Sequence, residues 1–276
     1  MMEDIAFYLI HNKSKDRIYL RNRLKDLSNN LNIKLIEIYK QKKILNLNLT
    51  FRSKLVILKI YFLRIFYDFK HKKEFSFNFF YLLLKSFLDF NKVIIQLFFS
   101  HKNKNTKTYK HMKVESLVTR KHIKAWEKFL KSKKEIMVIF EDDTVCKKDT
   151  EIRLKEFFVR LKKIDLNNTF IDLAGGLNPE DIIPKRKIIE YGDEFFIVKG
   201  IYTNTACSYL INRELVTKLY DEYQKSKLNN FFPIDHLINK LGLKIIRKQK
   251  IFSIHFYNPL FTHGSFEGNI KSWQIY

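Results

Sequence analysis

The chain has 276 residues, 46% of them apolar, enough to bury one large core, and carries 52 Lys and Arg against 29 Asp and Glu, a net charge of +23. Such a charge draws a protein towards phosphates, glycans and anionic lipid, but no arginine-rich or zinc-finger pattern marks a specific nucleic-acid reader. Two cysteines, Cys146 and Cys207, are too few for a disulfide framework and match no paired metal-binding spacing, so a reducing compartment is expected.

The opening residues place Glu3 and Asp4 before a six-residue apolar stretch and lack the basic start of a secretory signal, which predicts a cytoplasmic protein. "IAFYLI" (5–10) reads as a buried strand, the polar residues after it as a loop, 16–30 as a helix and "IKLIEIY" (33–39) as a second strand. Strand, helix, strand in succession favours parallel pairing, with ligands at the carboxyl ends of the strands.

Residues 43–110 depart from this pattern. They are aromatic, Leu-rich and Lys-rich, and read as two or three helices inserted into a single α/β domain spanning 1–276. Lys59, Arg64, Lys85, Asp89 and Lys92 interrupt their apolar runs, which argues against a spanning helix. Two readings stay open: the insertion lies on an anionic membrane surface, or its apolar faces pack on the core.

An amphipathic helix is expected over 115–134, then the strand "EIMVIF" running into Glu141, Asp142 and Asp143. Further on come a helix over 150–163, the strand "TFIDLAGG" (169–176), strands in "EFFIVKG" and "TNTACSYLI", a helix in "RELVTKLYDEYQKS" and a short helix after Pro233. Three adjacent carboxylates repel one another, so a cation is expected among them. Hard oxygen ligands at a strand end suit Mg²⁺ or Mn²⁺, ions that also coordinate substrate phosphate; the bland alternative is a solvated acidic turn.

"VESLVTRKHIKAWEKFLKSKKEIMVIFEDD" resembles the central block of glycosyltransferase family 25, the lipopolysaccharide-type sugar transferases, through His122, Trp126 and Glu141 to Asp143. "FYLIHNKSKDRIYLRNRL" is similar to the family's first strand and loop through Asn12, Asp16 and Arg17. "NTACSYLINRELVTKL" and "FPIDHLI" are similar to two later elements. Lys121 stands where the family usually has a serine. The likeness covers about 5–40 and 112–270 and leaves out 43–110.

The resemblance implies a GT-A-type fold: an α/β, nucleotide-binding mixed sheet flanked by helices, with a carboxylate-held Mn²⁺ or Mg²⁺ on the diphosphate of a UDP-sugar donor. It implies a metal-dependent inverting transferase moving a hexose, galactose among the candidates, to a cell-surface glycan such as lipopolysaccharide. The acceptor would be a glycan or lipid-linked glycan at the inner face of the membrane. Asp143, Asp142 and His263 are the expected metal ligands; Asn12, Arg17, Glu141 and Asp142 are expected at the donor, and Thr203, Asn204 and Thr205 either line the acceptor pocket or, equally, satisfy a sheet edge. Asp235 is the expected base, with a helix cap as its structural alternative, and Asp172 is the alternative base or a sugar-hydroxyl ligand. His122 reads as structural, since it shares a helical face with Trp126. Two other classes remain: a non-catalytic glycan- or membrane-binding protein with a decayed site, and a metal-dependent nuclease or phosphotransferase, for which a second carboxylate set is missing.

Overall fold

A computed structural model describes residues 2–39, 51–72, 79–98, 107–161, 168–175, 188–203 and 205–265. In chain order these form β1 (Ile5–Ile10), α1 (Ile18–Asn30), β2 (Leu35–Ile38), α2 (Phe51–Lys72), α3 (Phe79–Phe98), α4 (Lys107–Leu130), β3 (Ile136–Glu141), β4 (Thr144–Cys146) and α5 (Thr150–Leu161). Then follow β5 (Thr169–Asp172), β6 (Ile188–Tyr191), β7 (Phe195–Lys199), β8 (Ser208–Asn212), α6 (Arg213–Gln224), α7 (Ile234–Ile245), β9 (Phe252–Phe256) and β10 (Phe261–His263).

The first strand is apolar at every position, and every position is buried. Side chains alternate between sheet faces, so such a strand needs helices on both sides. Ile5, Phe7 and Leu9 pack with Leu24 and Leu27 of α1 and with Leu154, Phe157 and Phe158 of α5. On the opposite face, Ala6, Tyr8 and Ile10 pack with Trp126 and Phe129 of α4, Leu215 and Leu219 of α6, and Leu237 and Leu241 of α7.

Among the described residues the main sheet has eight strands in the order β2-β1-β3-β8-β5-β9-β7-β6. β1 is parallel to β2 and β3, as strand-helix-strand continuity predicts, and β8 runs antiparallel between β3 and β5. This is the mixed α/β sheet flanked by helices that was expected, and it is consistent with a GT-A-type arrangement. A separate two-stranded ladder pairs β10 with β4, with His263 opposite Thr144.

The helices α2 and α3 share a small core with α4. Ile57 and Ile60 of α2, Val93 and Leu97 of α3, and Met112 of α4 are buried together. Arg64 ties α2 to the domain through Glu115 at 2.6 Å and through the carbonyl of Phe231.

Candidate active site

The carboxylates lie where the parallel part of the sheet ends. Glu141 closes β3, and Asp142 and Asp143 form the turn into β4. Two neighbours converge on this turn. The β10–β4 ladder brings His263 to it, with the Gly264 N–H donating to the Asp143 carbonyl at 2.8 Å and His263 Nε2 3.8 Å from Asp143 Oδ2. The segment entering β8 brings Cys207, whose carbonyl accepts from the Glu141 N–H at 2.7 Å and from Thr144 Oγ1 at 2.9 Å. Its Sγ lies 3.7 Å from Asp143 Oδ1. One ligand atom each from Asp143, Cys207 and His263 lie within 4.8 Å of one another, a donor set that fits a divalent cation.

The chain also supplies cations of its own. Arg17 Nη1 sits 2.5 Å from Asp142 Oδ1 and 3.5 Å from Asp143 Oδ2, and Arg21, one helical turn on, reaches Asp142 Oδ2 at 4.0 Å. Burial opposes the Arg17 charge, but Asp143 and Asp142 outweigh it and raise the guanidinium pKa. The Asn12 N–H donates to Asp142 Oδ2 at 3.2 Å. Behind this loop the buried Lys121 ammonium donates to the His11 carbonyl at 2.8 Å and to Asn12 Oδ1. The loop after β1 is thereby fastened to both α4 and the carboxylate turn.

Glu141 points the other way. His122 Nε2 lies 2.9 Å from Glu141 Oε1, His122 Nδ1 lies 3.1 Å from the Tyr209 hydroxyl, and Trp126 Nε1 donates to that hydroxyl at 3.0 Å. One proton arrangement leaves every polar hydrogen with an acceptor: Trp126 to Tyr209, Tyr209 to Nδ1, and Nε2–H to Glu141. Burial lowers the His122 pKa to about 3, so its imidazole is neutral. Burial and the neighbouring Asp143 raise that of Glu141.

Residues 119–238 match the family model described as glycosyltransferase family 25 (LPS biosynthesis protein). This stretch, less than half of the chain, is similar to the family 25 glycosyltransferases. No curated protein matches the chain. The matched stretch contains Lys121, His122, the carboxylate turn, Cys207 and Asp235, whereas Asn12, Arg17 and His263 reach the same turn from outside it.

The other residues expected at the site lie as follows. Asp235 is half-buried in the first turn of α7, its Oδ1 accepting from the His236 N–H at 2.8 Å; Pro233 holds the cap position, and the Asp235 charge is felt at both His122 and Glu141. Asp172 is not brought to the carboxylate turn. It pairs in register with Tyr209, which itself faces Ile139, and so lies two strands from β3, about 10 Å at ordinary strand spacing, and two residues back from Glu141. Its Oδ1 accepts from the N–H groups of Gly175 and Ala174, while burial pushes its carboxyl up to about 7. Thr203 and Thr205 spend their hydroxyls internally, on the carbonyls of Thr205 and Gly175. Asn204 lies outside the described residues.

Three contributors escaped the sequence reading. Arg21 was legible in principle, four residues after Arg17 on the same helical face. Tyr209 and Cys207 enter through antiparallel pairing of β8 with β3, which no local pattern announces.

Proposed function

We propose that the protein is a metal-dependent inverting glycosyltransferase that moves a hexose from a UDP-sugar to a surface glycan such as lipopolysaccharide. The family match supports the coarse part, a glycosyltransferase. The observation that carries the finer part is the convergence of Asp143 and His263 beside Arg17 at the carboxyl ends of β1 and β3. A divalent cation held there would neutralise charge on the leaving diphosphate.

The chain's own groups take the other roles. Arg17, held by Asp142, presents a guanidinium to the diphosphate, and Asn12 and Lys121 fix the loop that carries it. Glu141, tied to His122, orients the turn, and Asp142 stays with Arg17 at the edge of the metal site. Asp235 accepts the proton of the acceptor hydroxyl, and one in-line displacement inverts the anomeric carbon. Asp172 is the second choice of base, because its carboxylate is committed to its own loop. Thr203, Asn204 and Thr205 would stand on the acceptor side. The site would work on the cytoplasmic face of the membrane, against a lipid-linked acceptor.

One observation favours the alternative, a binding protein with a decayed site: Arg17 and Arg21 already neutralise Asp142 without any metal. Turnover separates the two. Incubated with UDP-hexoses and Mn²⁺, the protein is expected to release UDP, with the anomeric proton of the product showing inversion by NMR. Asp235→Asn is expected to lower kcat by a factor of about 10² or more while nucleotide binding persists. UDP binding without release from any UDP-hexose, in the presence of glycan acceptors, would support the binding protein instead.

A further inference from the structure

Cys207 is the one member of the three-donor group that the sequence does not suggest as a metal ligand. Its side chain is buried, and its Sγ lies 3.7 Å from Asp143 Oδ1, while His263 Nε2 lies 3.8 Å from the other oxygen of the same carboxylate. Around one tetrahedral ion with metal–O and metal–N lengths of about 2.1 Å and metal–S of about 2.3 Å, adjacent ligand atoms stand roughly 3.4–3.6 Å apart. The sulfur and the imidazole nitrogen each stand within a few tenths of an ångström of that spacing from one oxygen of the Asp143 carboxylate, and one ligand atom from each of the three residues lies within 4.8 Å of the others.

The supporting groups point the same way. Ser265 holds the His263 ring in place: its N–H donates to His263 Nδ1 at 3.3 Å and its Oγ stands 2.7 Å from the same nitrogen, leaving Nε2 on the side of Asp143. Thr144 Oγ1 stands 3.3 Å from the Cys207 sulfur, and the Cys207 carbonyl is pinned by Glu141 and Thr144, which fixes the direction of the side chain. Arg17 meanwhile holds Asp142, the oxygen ligand that an all-carboxylate site would use.

We propose that Cys207 is a metal ligand beside Asp143 and His263, giving a sulfur, nitrogen and oxygen site that prefers Zn²⁺, Co²⁺ or Cd²⁺ to Mg²⁺. The inference rests on the reading of this turn as a cation site. Hard Mg²⁺ demands six oxygens in a near-octahedral array, whereas a thiolate and an imidazole suit tetrahedral borderline ions.

The test is titration of the purified full chain with Co²⁺, followed by absorption spectroscopy, beside cadmium NMR of the Cd²⁺-loaded protein. A thiolate-to-cobalt charge-transfer band, intense tetrahedral visible bands and a cadmium resonance in the sulfur-ligated range are expected. Cys207→Ser should abolish the charge-transfer band and weaken Zn²⁺ binding at least tenfold, with less than a twofold change for Mg²⁺. Cys146→Ser should leave the band in place. The cadmium signal needs no variant, so poor folding of Cys207→Ser does not blunt the test. Co²⁺ bound without a thiolate band overturns the role of Cys207 and leaves the cation site standing; no binding of Co²⁺, Cd²⁺ or Mn²⁺ overturns both.

Discussion

At the scale of single residues, the candidate site is held by buried polar groups that each have a defined partner. Tyr209 is the hinge of the chain from Trp126 to Glu141: its hydroxyl is the acceptor for one indole and the neighbour of one imidazole, both fully buried. Tyr209→Phe leaves the Trp126 indole N–H and His122 Nδ1 without the hydroxyl, an expected cost of about 1–3 kcal/mol, measurable by urea denaturation. Lys121 makes a pH-dependent contribution. Burial lowers its pKa from 10.5 to about 8, so between these values the unfolded chain holds more protons than the folded one, and stability rises with pH. Lys240, lowered by burial in the same way, adds slope of the same sign. Lys121→Met should reduce the rise in denaturation free energy between pH 8 and 10; an unchanged slope would place its ammonium in a water-like environment. Neither role was legible beforehand. Lys121 stood out only as a departure from the family's serine, and the partner that defines His122 lies 87 residues on.

The elements show which parts of the fold a sequence can announce. β1, β3 and α1 were readable because their apolar periodicities are uninterrupted, and the carboxylate turn because three acids follow an apolar run. α4 begins at Lys107 rather than 115, since Met112 has a core to pack against between α2 and α3, a contact that depends on the insertion. It stops at Leu130 rather than 134, where the Ser132 N–H turns back to the Phe129 carbonyl. β6 went unread because its positions are mostly exposed and give no buried face. The Asp172 loop shows how a glycine fixes an element's end: Gly175 has φ +61°, and an added Cβ would stand 2.6 Å from Pro259 Cγ. Gly175→Ala should therefore cost roughly 1–3 kcal/mol in thermal or chemical denaturation. A neutral result would mean that the Pro259 segment moves aside freely.

At the scale of the whole molecule, the pair α2 and α3 has two apolar faces where a core-packing helix needs one. Ile57, Ile60, Val93 and Leu97 point inward, while Leu55, Phe62 and Phe66 on α2 and Leu84, Phe87, Leu88 and Ile95 on α3 remain exposed, each set on one side of its helix. Lys59, Lys85 and Lys92 are exposed on or beside the same faces. Among the described residues no helix is long and apolar enough to cross a membrane. Aromatic and aliphatic groups flanked by lysines, on a chain of net charge +23, match an anionic lipid surface. The protein is expected to co-sediment with phosphatidylglycerol vesicles at low salt, and Phe62→Glu with Phe87→Glu to lose this without loss of UDP affinity. Equal retention of the variant would make the face structural.

The central claim is that the carboxylate turn is a donor site, and calorimetric titration with UDP, with and without Mn²⁺, tests it most directly. Wild-type protein is expected to bind UDP with Mn²⁺ at least tenfold more tightly than without it, and Asp143→Ala to lose that difference while retaining its fold. Binding that ignores both the metal and Asp143, or no binding at all, would contradict the account and leave Asp142 and Asp143 as partners of Arg17 alone.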